Sequence, residues 1–141
     1  MNSVKIVENF WECVWKGRNP AAIDDFVVDD FVLTTGGVEV VSKRKFKEWA
    51  SAFMAKINEL QCEVMETFQN EDGSRMASRW RIAGKNNGIL GTTADQQAIS
   101  RTGTAVWAVR TDGKLSHNWV ERSSFELFQQ LRDSRSTAGG L

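Results

Sequence analysis

Thr102-Gly-Thr-Ala-Val-Trp-Ala-Val-Arg110, Thr111-Asp-Gly-Lys114, Leu115-Ser-His-Asn-Trp-Val-Glu-Arg-Ser123 and a short amphipathic run to Leu131 form one continuous stretch. Two β-prone segments flank an Asp-Gly turn, which predicts a hairpin. A two-residue turn at Asp112-Gly113 pairs Trp119 with Val106, Glu121 with Thr104 and Ser123 with Thr102. Side chains alternate across a strand, so Trp119, Glu121 and Ser123 leave the sheet on one face. That face carries one acid among hydroxyls and one large aromatic, and it is the expected wall of a ligand pocket. The opposite face carries Ala105, Trp107, Val109 and Val120. With the first face turned inward, this apolar set faces out and predicts a homodimer through Trp107, Val109 and Val120.

Upstream, a second Asp-Gly turn at Asp72-Gly73 joins two more alternating runs. Cys62, Val64 and Phe68 alternate with polar residues before it, and Met76, Ser78, Trp80 and Ile82 after it. Gly84–Gln97 reads as a loop rimming the sheet. The first third of the chain is helical. Val4–Trp15 carries an apolar stripe of Val7, Phe10, Trp11 and Val14, with Ser3 placed to cap it and Gly17 to end it. Pro20 opens a second short helix, and short strands follow at Phe31–Thr35 and Val38–Val41. Ser42 caps a helix over Lys43–Ile57, whose first turns crowd Lys43, Arg44, Lys45 and Lys47 against the helix dipole. A solvated face accounts for that run. Helices followed by long antiparallel strands predict an α+β fold, a curved antiparallel sheet wrapped into a cone around the N-terminal helices. The expected domain is 1–131, with a flexible tail over 132–141.

Composition narrows the functions. Eighteen basic and eighteen acidic residues cancel, and no basic stripe argues for nucleic acid. No apolar run reaches the length of a membrane span. The N-terminus has no signal-peptide hydrophobic region, so the expected location is cytoplasmic. Cys13 and Cys62 sit in apolar patterns and read as buried reduced thiols. Tyrosine is absent, which removes it as a general acid. No phosphate loop, nucleophile elbow, zinc spacing or dinucleotide fingerprint occurs, so neither cofactor nor metal is expected.

These residues resemble the SnoaL-like polyketide cyclases, within the nuclear transport factor 2-like superfamily. The likeness rests on Gly17-Arg-Asn-Pro20 with Phe26-Val-Val-Asp-Asp-Phe31, Ala83-Gly-Lys-Asn-Asn-Gly88 with Gly91, Asp112-Gly-Lys114 ahead of Trp119-Val-Glu121, and Leu127-Phe-Gln-Gln-Leu131. It implies a cone-shaped cystatin-like roll, a small-molecule cavity and a homodimer. The family's catalytic acid, four residues after the tryptophan, is Ser123 here. Family histidines are replaced by Asn86 and Thr34. All three changes put a neutral polar group where the family has an ionisable one. The Asp–Arg–Asp set of limonene-epoxide hydrolases, which share the fold, is not found on one face, and Arg79 points away from Trp80.

Glu121 is the candidate general base, since a carboxylate on a half-buried face has a raised pKa. Trp80 and Trp119 are candidate stacking walls for a flat apolar ligand. Asn86, Thr34, Thr104 and Ser123 are candidate carbonyl-orienting groups. His117 reads as a solvated strand-end residue, Asp30 as a strand-entry acid, and Arg79, Arg81 and Arg122 as an outer polar face. The expected function is a cofactor-independent isomerase- or cyclase-type enzyme moving a proton on an apolar carbonyl metabolite. The alternatives are a noncatalytic ligand-binding module and a dimerisation domain whose cone is filled by tryptophan.

Overall fold

A computed structural model describes residues 1–139, with side chains through Arg132. Helix α1 (Ser3–Phe10) continues as a π-helical turn over Trp11–Lys16. A 3₁₀ turn at Pro20–Asp25 leads into β1 (Val27–Thr35) and β2 (Val38–Val41), and α2 spans Lys43–Ala55. Then come β3 (Ile57–Gln69), β4 (Arg75–Asn86), a 3₁₀ turn at Ile89–Gly91, β5 (Ala98–Val109), β6 (Leu115–Arg122) and α3 (Ser124–Gly139). The strands form one six-stranded sheet in the order β2-β1-β6-β5-β4-β3. This is the predicted α+β roll, with its helices packed against the concave face. One pairing is parallel, β1 with β6. β1 begins at Val27, four residues earlier than periodicity suggests. The expected tail over 132–141 begins inside α3, and beyond Arg132 its side chains lie outside the described residues.

The N-terminal helix is capped by Asn2, whose side chain accepts from the Lys5 amide at 3.1 Å. Ser3 is instead buried, and its hydroxyl donates to the Gly73 carbonyl in the β3–β4 turn. The π turn has a visible signature: Gly17 N–H donates to Glu12 C=O and Asn19 N–H to Val14 C=O, both five residues back. A π turn widens the helix so that residues near four apart superpose. Trp11 and Trp15 therefore point into the cone together, their ring centroids 6.0 Å apart. The basic run at the start of α2 is held by acids. Lys47 reaches Asp24 at 2.9 Å and Lys43 reaches Asp29 at 2.9 Å. Asp24 has its pKa lowered, first by the Lys47 hydrogen bond.

The β5–β6 hairpin has the predicted register, Val106 opposite Trp119 and Thr104 opposite Glu121. It reaches that register by another route. Val109 pairs with Leu115 and Ala108 with His117, so Ser116 is an extra, bulged residue. Three residues, Thr111–Gly113, close the turn, with Gly113 at φ +85°. The longer turn and the bulge cancel, and the pairing beyond them is what a two-residue turn would give.

The face assignment is inverted. Ala105, Trp107, Val109, Leu115 and Val120 are all buried in the core against α1 and α2. Trp107, Val109 and Val120 therefore cannot be an outer dimer surface, and the sheet face they would occupy carries Val106, Trp119 and Glu121 instead. The physical reason is ordinary: the more apolar face buries more surface, and a single acid does not compete with four apolar residues for the interior. Phe68 shows a related effect. A bulge at Met65 flips the alternation, so Phe68 pairs opposite Ala77 and faces solvent, 58 % exposed. Cys13 is exposed rather than buried, while Cys62 is half-buried and burial pushes its thiol up to about 11.

Candidate functional site

Inside the cone lies a cavity of about 30 Å³ lined by Trp11, Trp15, Phe53, Trp80, Ile82, Ala105, Trp107, Asn118, Val120 and Arg122. Room of that size holds about two waters or one small polar group. The walls come from the π turn, α2 and the concave face of β4, β5 and β6. On β6 the inward positions are Asn118, Val120 and Arg122, so the one cation of this strand points into an aromatic chamber. The Arg122 guanidinium lies 4.9 Å from the Trp49 ring centre, 5.4 Å from Phe53 and 5.7 Å from Trp80. One of its nitrogens, Nη1, donates to Thr35 Oγ1 at 2.6 Å.

What the chamber lacks is a counter-charge, its one side-chain acceptor being the Asn118 amide oxygen. The buried Nε of Arg122 and the indole N–H groups of Trp11 and Trp107 have no hydrogen-bond partner. Asn118 spends its Nδ2 on the Val106 carbonyl at 3.2 Å. Among the described residues, no Asp, Glu or His lines this cavity. Burial, and next the charge of Arg101, press the Arg122 guanidinium down to about 10, against the opposing pull of Glu121. The arrangement can polarise or hold an oxygen acceptor. It contains no group able to take a proton at neutral pH.

Trp80 is therefore placed as expected, in the chamber wall. Its indole lies across Gly103, where an added Cβ would fall 2.1 Å from a ring carbon of Trp80. The other expected site residues lie elsewhere. Glu121 is exposed, and it shares an open groove of about 430 Å³ with Thr104, Ser123, Thr102, Met65 and Arg79, and with Trp80 and Arg122, which also line the chamber. Ser123 Oγ accepts from the Thr102 amide at 3.1 Å, which fixes the strand end. Arg79 is bound to Glu66 at 2.6 Å. Asp30 is exposed on β1.

Asn86 is fully buried but turned to its own loop. Its Oδ1 accepts from the amides of Gly88 and Ile89, and its Nδ2 donates toward Thr92, Thr93 and Asp95. It is a loop organiser, not a ligand contact. Thr34 and Trp119 are on the outer face with His117. His117 Nε2 is 2.8 Å from Thr34 Oγ1, and its ring stacks on Trp119 at 3.8 Å and 6°.

His117 has a pH consequence. Desolvation lowers its pKa, with Arg75 adding and Glu39 opposing. The unfolded chain then binds the proton more readily than the fold, so the contribution present above the ordinary value of 6.5 is lost as pH falls through the lower folded value. Melting curves from pH 7.5 to 5 should show wild type losing more stability than His117→Gln. The Trp119 emission, isolated by subtracting Trp119→Phe, should change over the same interval. Parallel melting of the two proteins would show that the ring titrates freely.

Sequence reasoning did not find Arg122 or the buried Arg101 as inward groups, nor Asn118, Trp11, Trp15 or Trp107 as cavity walls. A signal existed: Asn118 and Arg122 flank Val120 at the apolar parity of β6. Polar residues interrupting the buried alternation of a strand are the positions to inspect first.

The fold is an α+β roll with a small aromatic chamber inside it. The SnoaL-like domain family model matches residues 7–118, and the chain belongs to that family. Solved structures with the same fold include a candidate SnoaL-like polyketide cyclase from Jannaschia sp. CCS1, at TM-score 0.82 and 12 % identity over 92 % of this chain and 90 % of that one. A candidate polyketide cyclase from Acidithiobacillus ferrooxidans aligns at TM-score 0.79 and 19 % identity, over 94 % and 96 %. An LEH-like epoxide hydrolase from M. tuberculosis aligns at TM-score 0.69 and 13 % identity, over 92 % and 84 %. At these identities the likeness is one of fold. Comparison with curated proteins finds no match. Among the described residues, no helix is long and apolar enough to cross a membrane.

Proposed function

We propose that the protein binds a small, flat, apolar metabolite in the cone and presents Arg122 and two indole N–H groups to an oxygen of that ligand. The observation that carries this reading is the set of buried donors without acceptors, Arg122 Nε, Trp11 Nε1 and Trp107 Nε1, in one aromatic chamber. Buried donors are nearly always satisfied in native proteins, so a cluster of orphans facing one space implies an occupant. With about 30 Å³ open, the ligand's polar head fits as the structure stands, and its apolar body requires aromatic side chains to turn aside.

A second reading places chemistry on the other side of the sheet. The outer groove gathers Glu121 with the hydroxyls of Thr102, Thr104 and Ser123. An isomerase- or cyclase-type proton transfer from Glu121 belongs to that groove, because Glu121 lines the groove and not the chamber, although Trp80 and Arg122 line both. A tryptophan-fluorescence titration with flat aromatic ketones and enols separates the readings. Arg122→Met should abolish saturable quenching and Glu121→Gln should leave it unchanged. The reverse pattern, with turnover lost in Glu121→Gln, would move the function to the groove. No quenching by any compound would mark the cone as a filled core.

A further inference from the structure

Two buried guanidinium groups share the ring of Phe53: Arg122 lines the chamber, and Arg101 lies outside its lining but close enough for its charge to act on Arg122. Arg101, on β5, is 94 % buried by its 6 % exposure, and its charge center stands 5.8 Å from the Phe53 ring that Arg122 also covers at 5.4 Å. One Arg101 nitrogen, Nη2, donates to Ser124 Oγ, while Nε and Nη1 have no acceptor. Neither arginine has an ion pair among the described residues. Aromatic faces soften the loss of hydration but do not supply a counter-charge. Like charges placed together in a low-dielectric interior are costly unless something negative joins them.

Among the buried groups without a partner, all but the Ser78 hydroxyl, which can also accept, are N–H donors. Arg122 Nε, Arg101 Nε and Nη1, and the indole nitrogens of Trp11 and Trp107 are donors. A cationic ligand is repelled, and a neutral ketone leaves both charges uncompensated. A carboxylate brings one negative charge and two oxygens that accept several N–H groups, in planar geometry suited to a guanidinium fork. Its head is of the size the cavity allows, whereas a tetrahedral dianion is larger and meets apolar walls.

We propose that the cone is a carboxylate site: its ligand is a monoanionic acid with a flat apolar body, held by Arg122 with Arg101 as the second positive charge. This rests on the chamber being the binding site, and adds the charge and class of the occupant. It also assigns the missing counter-ion of the buried arginine pair to the ligand.

The test uses benzoate and 2-naphthoate, each beside its methyl ester, titrated at pH 7 into the full chain by tryptophan quenching and calorimetry, with inorganic phosphate as a competitor. The acids should bind at least about 10-fold more tightly than their esters, the span of one or two charge-assisted hydrogen bonds. Arg122→Met should erase that preference while raising the melting temperature of the free protein, because an unpaired buried charge is removed. Arg122→Lys should keep part of the preference. Should Arg122→Met fail to fold, Arg101→Met gives the same readout with a smaller loss. Equal binding of acid and ester overturns the carboxylate inference and leaves the chamber reading standing. Binding of neither acid nor ester overturns both. Phosphate binding as tightly as the acids overturns the carboxylate class.

Discussion

Trp107→Ala is expected to lower the free energy of unfolding by about 3–5 kcal/mol, the usual cost of removing a buried aromatic. The side chain is 2 % exposed and sits in the middle of the sheet on β5, its ring edge-on to Phe10 at a centroid distance of 5.0 Å. Its neighbours are poorly able to collapse into the space. Ala105 and Val120 are fixed by strand pairing, and Phe10 is already packed between Phe26 and Phe46. The new hole adjoins the existing cavity, so the chamber grows as the protein weakens. Urea denaturation with sedimentation velocity checks both halves of the argument. A core tryptophan shifts the midpoint of unfolding and leaves the association state unchanged. A tryptophan on an outer dimer face would do the opposite, changing the association state while monomer stability moved by less than about 0.5 kcal/mol.

That contrast marks how far the sequence was legible. Periodicity and turn chemistry gave the class of fold, all six strands and the register of the last hairpin. They did not give which face of the hairpin is inside, because alternation is symmetric under inversion until something packs on one side. Placing Glu121, Trp119 and Ser123 inward followed the chemistry-bearing residues. The apolar sum of Ala105, Trp107, Val109 and Val120 decided the matter the other way. Bulges were the second hidden variable. Ser116 restored the expected register by cancelling a longer turn, and Met65 reversed the expected side for Phe68. Neither bulge carries a glycine or other local marker. The π turn was also invisible, since Trp11 and Trp15 at a spacing of four fit an ordinary helix equally well. The parallel β1–β6 pairing depends on where α2 returns the chain, which no local pattern records.

The candidate site was legible in kind and misplaced in detail. An aromatic chamber with neutral polar groups at the family's ionisable positions was expected, and Trp80 belongs to it. The polar groups chosen for it were scattered by the inverted face, and Arg122, which does enter, was assigned outward. A charge on a strand usually faces water, and only three-dimensional packing shows the exception. The same substitution pattern nonetheless has a consistent physical sense. A chamber entered by Arg122 gains nothing from an imidazole or carboxylate placed elsewhere on the sheet. On that view Ser123 and Thr34, which lie outside the chamber, are simply released from any ionisable role.

Asn86→Ala is expected to cost about 2 kcal/mol, because it takes the acceptor from the buried Ile89 amide and releases several further groups of the same loop at once. Oδ1 satisfies the Gly88 amide at 3.0 Å and the Ile89 amide at 2.9 Å, while Nδ2 serves Thr93 C=O at 3.0 Å and Asp95 Oδ1 at 3.1 Å. The residue has no exposed surface, so water replaces its bonds only at the exposed Thr93 and Asp95 and not at the buried Ile89 amide. The segment it organises includes Leu90 and Gln96, both with positive φ, and a loop holding such conformations needs the anchor. Asn86→Asp makes the charge content of the site measurable. The carboxylate keeps the two accepting bonds but loses both donors, and it brings a negative charge beside Asp95. Burial and that neighbour raise the new acid's pKa in the fold above its unfolded value. Its penalty relative to wild type is therefore smallest below about pH 4, where both states are protonated, and grows as pH rises toward the folded value. Asn86→Ala should show a penalty nearly independent of pH over the same range. Urea unfolding of the three proteins at pH 4, 5.5 and 7 measures the difference. A flat profile for Asn86→Asp would mean that water reaches the position and that the loop, not the side chain, holds this end of the cone together.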